Sequence, residues 1–375
     1  MLLGKTIKAN GHSKEYQFAN YSLYLCGVET ETALKDLRKA NLEELKGFFQ
    51  SIGEKPFRAK QIQEWIWKKS AVSIDEMTNL SLSTREKIKE AYSIFPVTTD
   101  KLQVSSDRTI KSAFKLHDGH LVEGVLIPAK DRMTACVSSQ VGCSLSCTFC
   151  ATGYMDRLRN LDASEIYDQV VAIRNQAEEN YEAPLTNIVY MGMGEPLLNY
   201  KNVLESIEKI TSPNGLNMSP KRITVSTAGI AKMIDKLAND EVKFNLALSL
   251  HAANDAKRNT IMPINESNTL EVLSKSLQNF YKKTGNRITF EYILFYNFND
   301  SLEDARELYE FWKRVPARIN IIEYNPISEA KYKNTDPQSL DKFSSFLEKK
   351  GVNVNVRRSR GKDIDAACGQ LANKG

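Results

Sequence analysis

Between Thr134 and Tyr324 six short runs rich in β-branched and aromatic residues alternate with longer stretches of helical spacing. The strand-like runs are TACVSSQ (134–140), TNIVYMG (186–192), RITVST (222–227), FNLALSL (244–250), TFEYILFY (289–296) and RINIIEY (318–324). Helical stretches occupy 163–179, 201–211, 229–239, 269–284 and 301–314. Strands joined by crossover helices run parallel, because a tight hairpin always reverses the chain. Six such units predict an α/β fold, a parallel sheet curled into a partial (β/α)6 barrel. A last helix near 337–350 and the strand VNVNVRR (352–358) follow.

Upstream the pattern changes. TIKSAFKL (109–116) and HLVEGVLIP (120–128) flank Asp118-Gly119 and predict a β-hairpin extension. Before it, Asn41 with Glu44 forms a capping pair ahead of Leu42, Leu45, Phe48 and Phe49. FRAKQIQEWIWKK places Ile62, Trp65 and Ile66 on one helical face, and a third helix follows Ser83. The predicted organisation is an N-terminal arm over 1–33, poorly ordered and giving Cys26 no role; a helical accessory domain over 34–98; a linker and hairpin over 99–130; and a catalytic core over 131–372. Arg58, Lys60, Lys68 and Lys69 accompany Trp65 and Trp67, which suits either an RNA-docking surface or an ordinary solvated basic face.

No run approaches the roughly 18 uninterrupted apolar residues of a membrane span. The start, MLLGKTIKANGHSKEYQF, lacks an apolar core after its first lysine, so no secretory signal is expected and the cytoplasm is the expected location. A net charge of +5 is compatible with a nucleic-acid partner without requiring one.

Four of the six cysteines, Cys136, Cys143, Cys147 and Cys150, crowd into CVSSQVGCSLSCTFC; Cys26 and Cys368 stand apart. In a cytosolic chain such clustering points to metal binding or catalysis. Cys143, Cys147 and Cys150 form C-x3-C-x2-C directly after a predicted strand, so that one loop can fold three thiolates around a cofactor. Three ligands leave one iron of a [4Fe–4S] cube open to a substrate. The alternative is a structural zinc, which takes four protein ligands. None of the four histidines (His12, His117, His120, His251) lies near the loop, and Cys136 would have to be the fourth ligand.

C-x3-C-x2-C, with Phe149 before its third cysteine, resembles the radical S-adenosylmethionine (SAM) superfamily. VEGVLIP, CVSSQVGC, MGMGEPLLN, KRITVSTAGI, LALSLHA, IMPIN and DIDAACGQL resemble, in order, the RlmN-type RNA adenine-C2 methyltransferases of the Cfr/RlmN superfamily, over roughly 35 to 372. The resemblance implies a [4Fe–4S] cluster on Cys143, Cys147 and Cys150. It implies SAM contacts at Gly194 and Glu195, the carboxylate accepting from the SAM ammonium, and at Ser226, Ser249, Leu250, His251 and Asn325. The strand pattern separately puts these residues at C-terminal strand ends, where α/β barrels expose functional groups. Singly, each would pass as a turn, a cap or a core histidine.

The resemblance further implies that Cys368 is methylated by one SAM. A radical made from a second SAM then takes hydrogen from that methyl group, and the resulting carbon radical attacks C2 of an adenosine. Cys136 is the resolving partner, releasing the product through a transient disulfide, and Glu123 accepts the C2 proton. Two SAM molecules are used per turnover. The implied partners are large-subunit (23S) ribosomal RNA, transfer RNA at the adenosine 3′ of the anticodon, and an external electron donor such as flavodoxin. A monomer without a membrane partner is expected. Arg157, Arg159, Arg357, Arg358 and Arg360 are candidate phosphate contacts. The rivals are C8 methylation of the same ribosomal adenosine, as in the antibiotic-resistance branch; a radical SAM enzyme for a non-RNA substrate; and a zinc-stabilised RNA-binding module. Pro196 after Glu195 favours the C2 branch.

Overall fold

Ten strands lie side by side in one sheet in the same order as they occur along the chain. The computed structural model describes residues 34–373, so the arm over 1–33, with Cys26, lies outside the described residues. The strands are β1 (Thr98–Val104), β2 (Ile110–Lys115), β3 (Leu121–Ala129), β4 (Arg132–Cys136), β5 (Asn187–Tyr190), β6 (Ile223–Thr227), β7 (Asn245–Ser249), β8 (Ile288–Leu294), β9 (Ala317–Glu323) and β10 (Val354–Arg357). From β4 to β10 every neighbouring pair is parallel; from β1 to β4 every pair is antiparallel.

The expected hairpin is present, with Gly119 at φ +83° in its turn and Lys115 opposite Leu121. It is one part of a three-stranded meander, because residues read as linker form β1, pairing Thr98 with Lys115 and Val104 with Ile110. Thr98–Val104 is solvent-facing along nearly its whole length, so it shows no apolar alternation to read. Among the described residues β1 and β10 each have a single neighbour, and no strand pairing closes the barrel.

The crossover helices cover the sheet: α4 (Ala163–Tyr181), α5 (Tyr200–Thr211), α6 (Ala231–Asn239), α7 (Asp255–Ile261), α8 (Leu270–Thr284), α9 (Leu302–Trp312) and α10 (Pro337–Lys349), numbered after the three N-terminal helices below. In α6, Ala231, Ile234, Leu237 and Ala238 are buried while Lys232 and Lys236 face water, the spacing of a helix laid on a core. Each large apolar side chain so buried contributes about 1.5–3 kcal/mol. α7 was not expected from the sequence. It begins at the Asn254 cap, whose side chain accepts from Lys257 N at 3.2 Å.

The N-terminal helices are α1 (Leu42–Ser51), α2 (Arg58–Trp67) and α3 (Leu82–Ala91). Asn41 and Glu44 make the reciprocal capping box expected of them. α3 starts after Ser81 rather than after Ser83, the Ser81 hydroxyl accepting from Thr84 N at 3.1 Å. These helices dock on α4. Arg38 donates to Asp168 at 2.5 Å, Tyr167 donates its hydroxyl to Trp67 O at 2.6 Å, and the Trp67 and Tyr167 rings meet edge to face. Trp67 therefore belongs to the core, whereas Trp65 is half-buried under Lys69, whose ammonium lies 3.7 Å from the ring centroid.

Candidate active site

Each parallel strand ends at the rim of one cavity of about 210 Å³. β4 supplies Cys136, and the turn after β5 supplies Gly192, Gly194 and Glu195. β6 and its loop supply Ser226, Thr227 and Ala228; β7 and its loop supply Ser249 and His251. Glu291 and Ile293 come from β8, Ile322 from β9, and Arg357 from β10.

The glycines of MGMGEP are required by a close crossing. Met193 N donates to Ser138 Oγ at 2.8 Å, and Glu195 N donates to Gln140 Oε1 at 2.8 Å. A Cβ on Gly192 would lie 2.6 Å from Ser138 Oγ; one on Gly194, whose φ is +91°, would lie 2.5 Å from Gln140 Cβ. The turn thereby presents Glu195, which is buried and accepts from Ala228 N at 2.7 Å and Leu197 N at 3.0 Å. Burial lifts its carboxyl to about 6 against these two bonds, which act in the opposite direction.

Cys143, Cys147 and Cys150 all face the cavity from the loop between β4 and α4. Gly142 opens this loop at φ +75°, where a Cβ would fall 2.0 Å from Asp156 O, and Gly153 closes it against Cys147. Thr148 N donates to Ile261 O at 3.1 Å, pinning the loop to α7. Burial raises all three thiols, Cys143 to about 11, and Cys143 and Cys147 are raised further by Cys150. Such a group of desolvated soft donors becomes thiolate only around a cation. Among the described residues no three ligating groups converge closely enough to share one metal ion. The cysteines of a cube each bind a different iron and need no common point. Cys136, the fourth ligand that a zinc site would require, has the Cys368 thiol and the Arg357 guanidinium as its titratable neighbours instead. The donor set fits a three-thiolate cube with an open corner.

Of the other residues assigned to SAM, Ser226, Ser249 and His251 line the cavity, with Ser226 Oγ 3.4 Å from Ser249 Oγ. His251 Nδ1 accepts from Ile293 N at 3.1 Å. Burial and then Arg258 push its pKa down to about 3, so the ring is neutral with Nε2 carrying the proton. Leu250 is buried behind the wall rather than on it. Asn325 is bonded to a wall residue: its Nδ2 donates to Cys368 O at 3.1 Å, and its buried Oδ1 has no protein partner.

Cys368 lies in a strap, residues 359–373, which passes along the cavity after β10. Its thiol is open to the cavity, yet the protein around it desolvates the thiolate and raises the pKa to about 11. Cys136 lines the same cavity, raised to about 12 by burial and then by Cys368; both thiols are free. Glu123 is not on the wall. Its Oε1 pairs with Lys111 at 3.2 Å, and its Oε2 accepts from Ala372 N at 2.9 Å and Asn373 N at 3.2 Å.

Two functional-looking residues had no sequence signal. Glu291 is a buried carboxylate on the cavity wall, accepting from Asn320 Nδ2 at 2.8 Å; within TFEYILFY it reads as an outward-facing residue. Arg258 is fully buried and donates to the carbonyls of Leu250, Ala228 and Ser249, tying together the loops after β6 and β7. Among the candidate phosphate contacts, Arg159 is committed to Asp118 and Glu165, and Arg357 reaches Glu291 at 3.4 Å. Arg157, Arg358 and Arg360 are exposed.

Residues 35–94 match the family described as the ribosomal RNA large subunit methyltransferase N-terminal domain, and residues 137–311 match the radical SAM superfamily. A probable dual-specificity RNA methyltransferase RlmN of Cytophaga hutchinsonii is 63% identical over 358 residues, covering 95% of this chain and 98% of that protein. Its counterpart in Christiangramia forsetii is 54% identical, covering 94% and 99%. Among solved structures, a radical SAM methyltransferase from Sphaerobacter thermophilus superposes with a TM-score of 0.84 at 38% identity, covering 90% of this chain and 99% of that one. Enzymes of this superfamily work with a [4Fe–4S] cluster and SAM, the pair for which the three loop cysteines and the cavity are suited. The chain belongs to the RlmN family of radical SAM RNA methyltransferases.

Proposed function

We propose that this enzyme methylates C2 of one adenosine in 23S ribosomal RNA and of the adenosine 3′ of the anticodon in transfer RNA, carrying the methyl group on Cys368. The observation that carries this reading is the presence of Cys136 and Cys368, remote in sequence, on the wall of the cavity that also receives Cys143, Cys147 and Cys150.

C2 of adenine lies between two ring nitrogens and is electron-poor, so it cannot displace a methyl group from a sulfonium. A radical route is required. When bound, the cluster and SAM supply a one-electron cleavage that yields a carbon radical, and a further SAM supplies the methyl group, two per turnover. Glu195 offers its carboxylate to the SAM ammonium, while Ser226, Ser249, neutral His251 and the unpartnered Oδ1 of Asn325 provide polar contacts.

Cys368 gives up its proton and becomes a methyl thioether. The methyl carbon loses one hydrogen atom to the SAM-derived carbon radical and bonds to C2. The adduct gives up the C2 proton and one electron, which the cluster would accept, and RNA is left tethered through the Cys368 sulfur. The Cys136 thiolate then attacks that sulfur, forming a Cys136–Cys368 disulfide and breaking the sulfur–carbon bond, and the released carbon takes a proton to become the methyl group. An external two-electron reductant, such as one served by flavodoxin, restores both thiols. Thiolate formation at Cys136 is disfavoured by burial and favoured by Arg357.

The base must leave its stack to enter the cavity, which favours loop adenosines over paired ones. Exposed Arg358 and Arg360 on the cavity rim, and exposed Arg157, suit phosphate. Among the described residues no helix is long and apolar enough to cross a membrane.

The test is Cys136→Ala expressed with its RNA. The expected result is RNA covalently attached to the Cys368 peptide, with the attachment at adenine C2. Attachment at C8, or none beside full methylation activity, contradicts the reading.

A further inference from the structure

Two features of the strap stand apart from the chemistry described so far. One is a buried ion pair, Lys111 with Glu123, whose side chains are 4% and 3% exposed. The other is the density of hydrogen bonds from the antiparallel extension to residues on both sides of Cys368.

On the N-terminal side of Cys368, Asp363 accepts from Ser105 Oγ at 2.5 Å and Ser106 N at 2.9 Å, and Asp107 accepts from Gly361 N at 2.9 Å. Lys111 Nζ donates to Asp365 O at 3.5 Å. On the C-terminal side, Glu123 Oε2 takes the N–H groups of Ala372 and Asn373, and Asn373 Nδ2 donates to Leu121 O at 2.7 Å. A single buried pair thus grips the strap three residues before and four residues after the reactive sulfur. Opposite it, the cluster loop holds the same stretch: Ala151 N donates to Gly369 O at 2.7 Å, and Thr152 Oγ1 donates to Leu371 O at 2.6 Å. Ala151 and Thr152 follow Cys150 directly, so these bonds reference Cys368 to the metal-binding loop itself.

We infer that Lys111 is a positioning residue which, through its ion pair with Glu123, clamps the Cys368 strap against the cluster loop. A carboxylate away from the cavity wall, with one oxygen on an ammonium and the other on two main-chain N–H groups, is placed to hold. A lysine without its carboxylate, or the reverse, would leave a buried charge uncompensated and loosen both grips together. The clamp matters because a radical reaction is wasteful when its target is misplaced: a strap held loosely allows SAM to be cleaved without a methyl group being activated.

The inference rests on the methyl-carrying role of Cys368, and the test separates the two. For the wild type, Lys111→Met, Lys111→Met/Glu123→Gln and Asp363→Ala, three quantities are measured. They are the mass of the Cys368 peptide, the ratio of 5′-deoxyadenosine formed to RNA methylated, and amide exchange over 361–373 in the purified chain. A wild-type Cys368 that never carries a methyl group removes the underlying reading. With methyl present in the wild type, Lys111→Met is expected to raise the ratio severalfold and to speed exchange in the strap. The double variant, which buries no lone charge and keeps an acceptor for Ala372 and Asn373, is expected to bring strap exchange most of the way back to the wild-type rate. A wild-type ratio in Lys111→Met, or a double variant whose strap exchanges as fast as the single's, overturns the clamp. Should Lys111→Met fail to fold, Asp363→Ala decides: an elevated ratio supports the clamp, an unchanged one overturns it.

Discussion

Asn325 donates from Nδ2 to the main-chain carbonyl of Cys368 at 3.1 Å, so a residue just beyond β9 is bonded to the one that carries the reactive sulfur. The other face of the same amide, Oδ1, is buried with no protein partner. A buried acceptor of this kind costs about 1–3 kcal/mol unless something fills it. We expect Asn325→Ala to weaken SAM binding by about 1–2 kcal/mol and to speed amide exchange around Cys368. Anaerobic calorimetry with reconstituted enzyme checks the first. Unchanged affinity would confine Asn325 to the strap.

The carboxyl of Glu195 is lifted by burial to about 6 in the free enzyme. A carboxyl raised above its ordinary value is neutral below that pH and anionic above it, and only the anion attracts an ammonium. The dissociation constant of SAM should therefore be lowest between pH 6 and the titration of the SAM ammonium, and rise about tenfold per unit well below pH 6. Glu195→Gln should bind weakly and lose this dependence.

The N-terminal helices are fastened to the sheet through Asp168, which takes Arg38 at 2.5 Å and Val97 N at 2.9 Å. Asp168→Ala leaves a buried guanidinium with Asp36 as its remaining carboxylate, at 3.3 Å. Urea unfolding should show a loss of about 3 kcal/mol. A change within a few tenths would mean that this docking contributes little to stability.

The contrast between Arg358 and Arg159 bears on RNA binding. Arg358 is exposed on the cavity rim, whereas Arg159 is held by Asp118 and Glu165. Arg358→Glu should weaken RNA binding and lower the slope of log affinity against log salt by about one. Filter binding across a salt series measures both. Equal slopes for the variant and the wild type would remove Arg358 from the interface. Arg159→Glu should act on thermal stability instead, since it opposes two carboxylates.

What could be read from the sequence follows from where the information is stored. C-x3-C-x2-C places its donors within one loop, and the strand-end residues recur at fixed places in a βα pattern, so both were visible along the chain. β1 was not: an edge strand exposed at almost every position carries no alternation, and only its pairing with β2 identifies it. Glu291 and Arg258 were hidden for a related reason. A lone charge within a strand or a short helix looks solvated until the tertiary structure buries it. Glu123 shows the limit of motif reasoning most clearly. Its string was recognisable, but its partners, Lys111, Ala372 and Asn373, come from other segments, and they place it at the strap instead of on the cavity wall.

The measurement closest to the centre of the account is the mass of the Cys368 peptide from enzyme purified with its cluster and SAM under strict anaerobiosis. The account predicts that this peptide is heavier by one methyl group, and that the methyl group passes to RNA in a single turnover. An active enzyme whose Cys368 remains an unmodified thiol at every stage would contradict it.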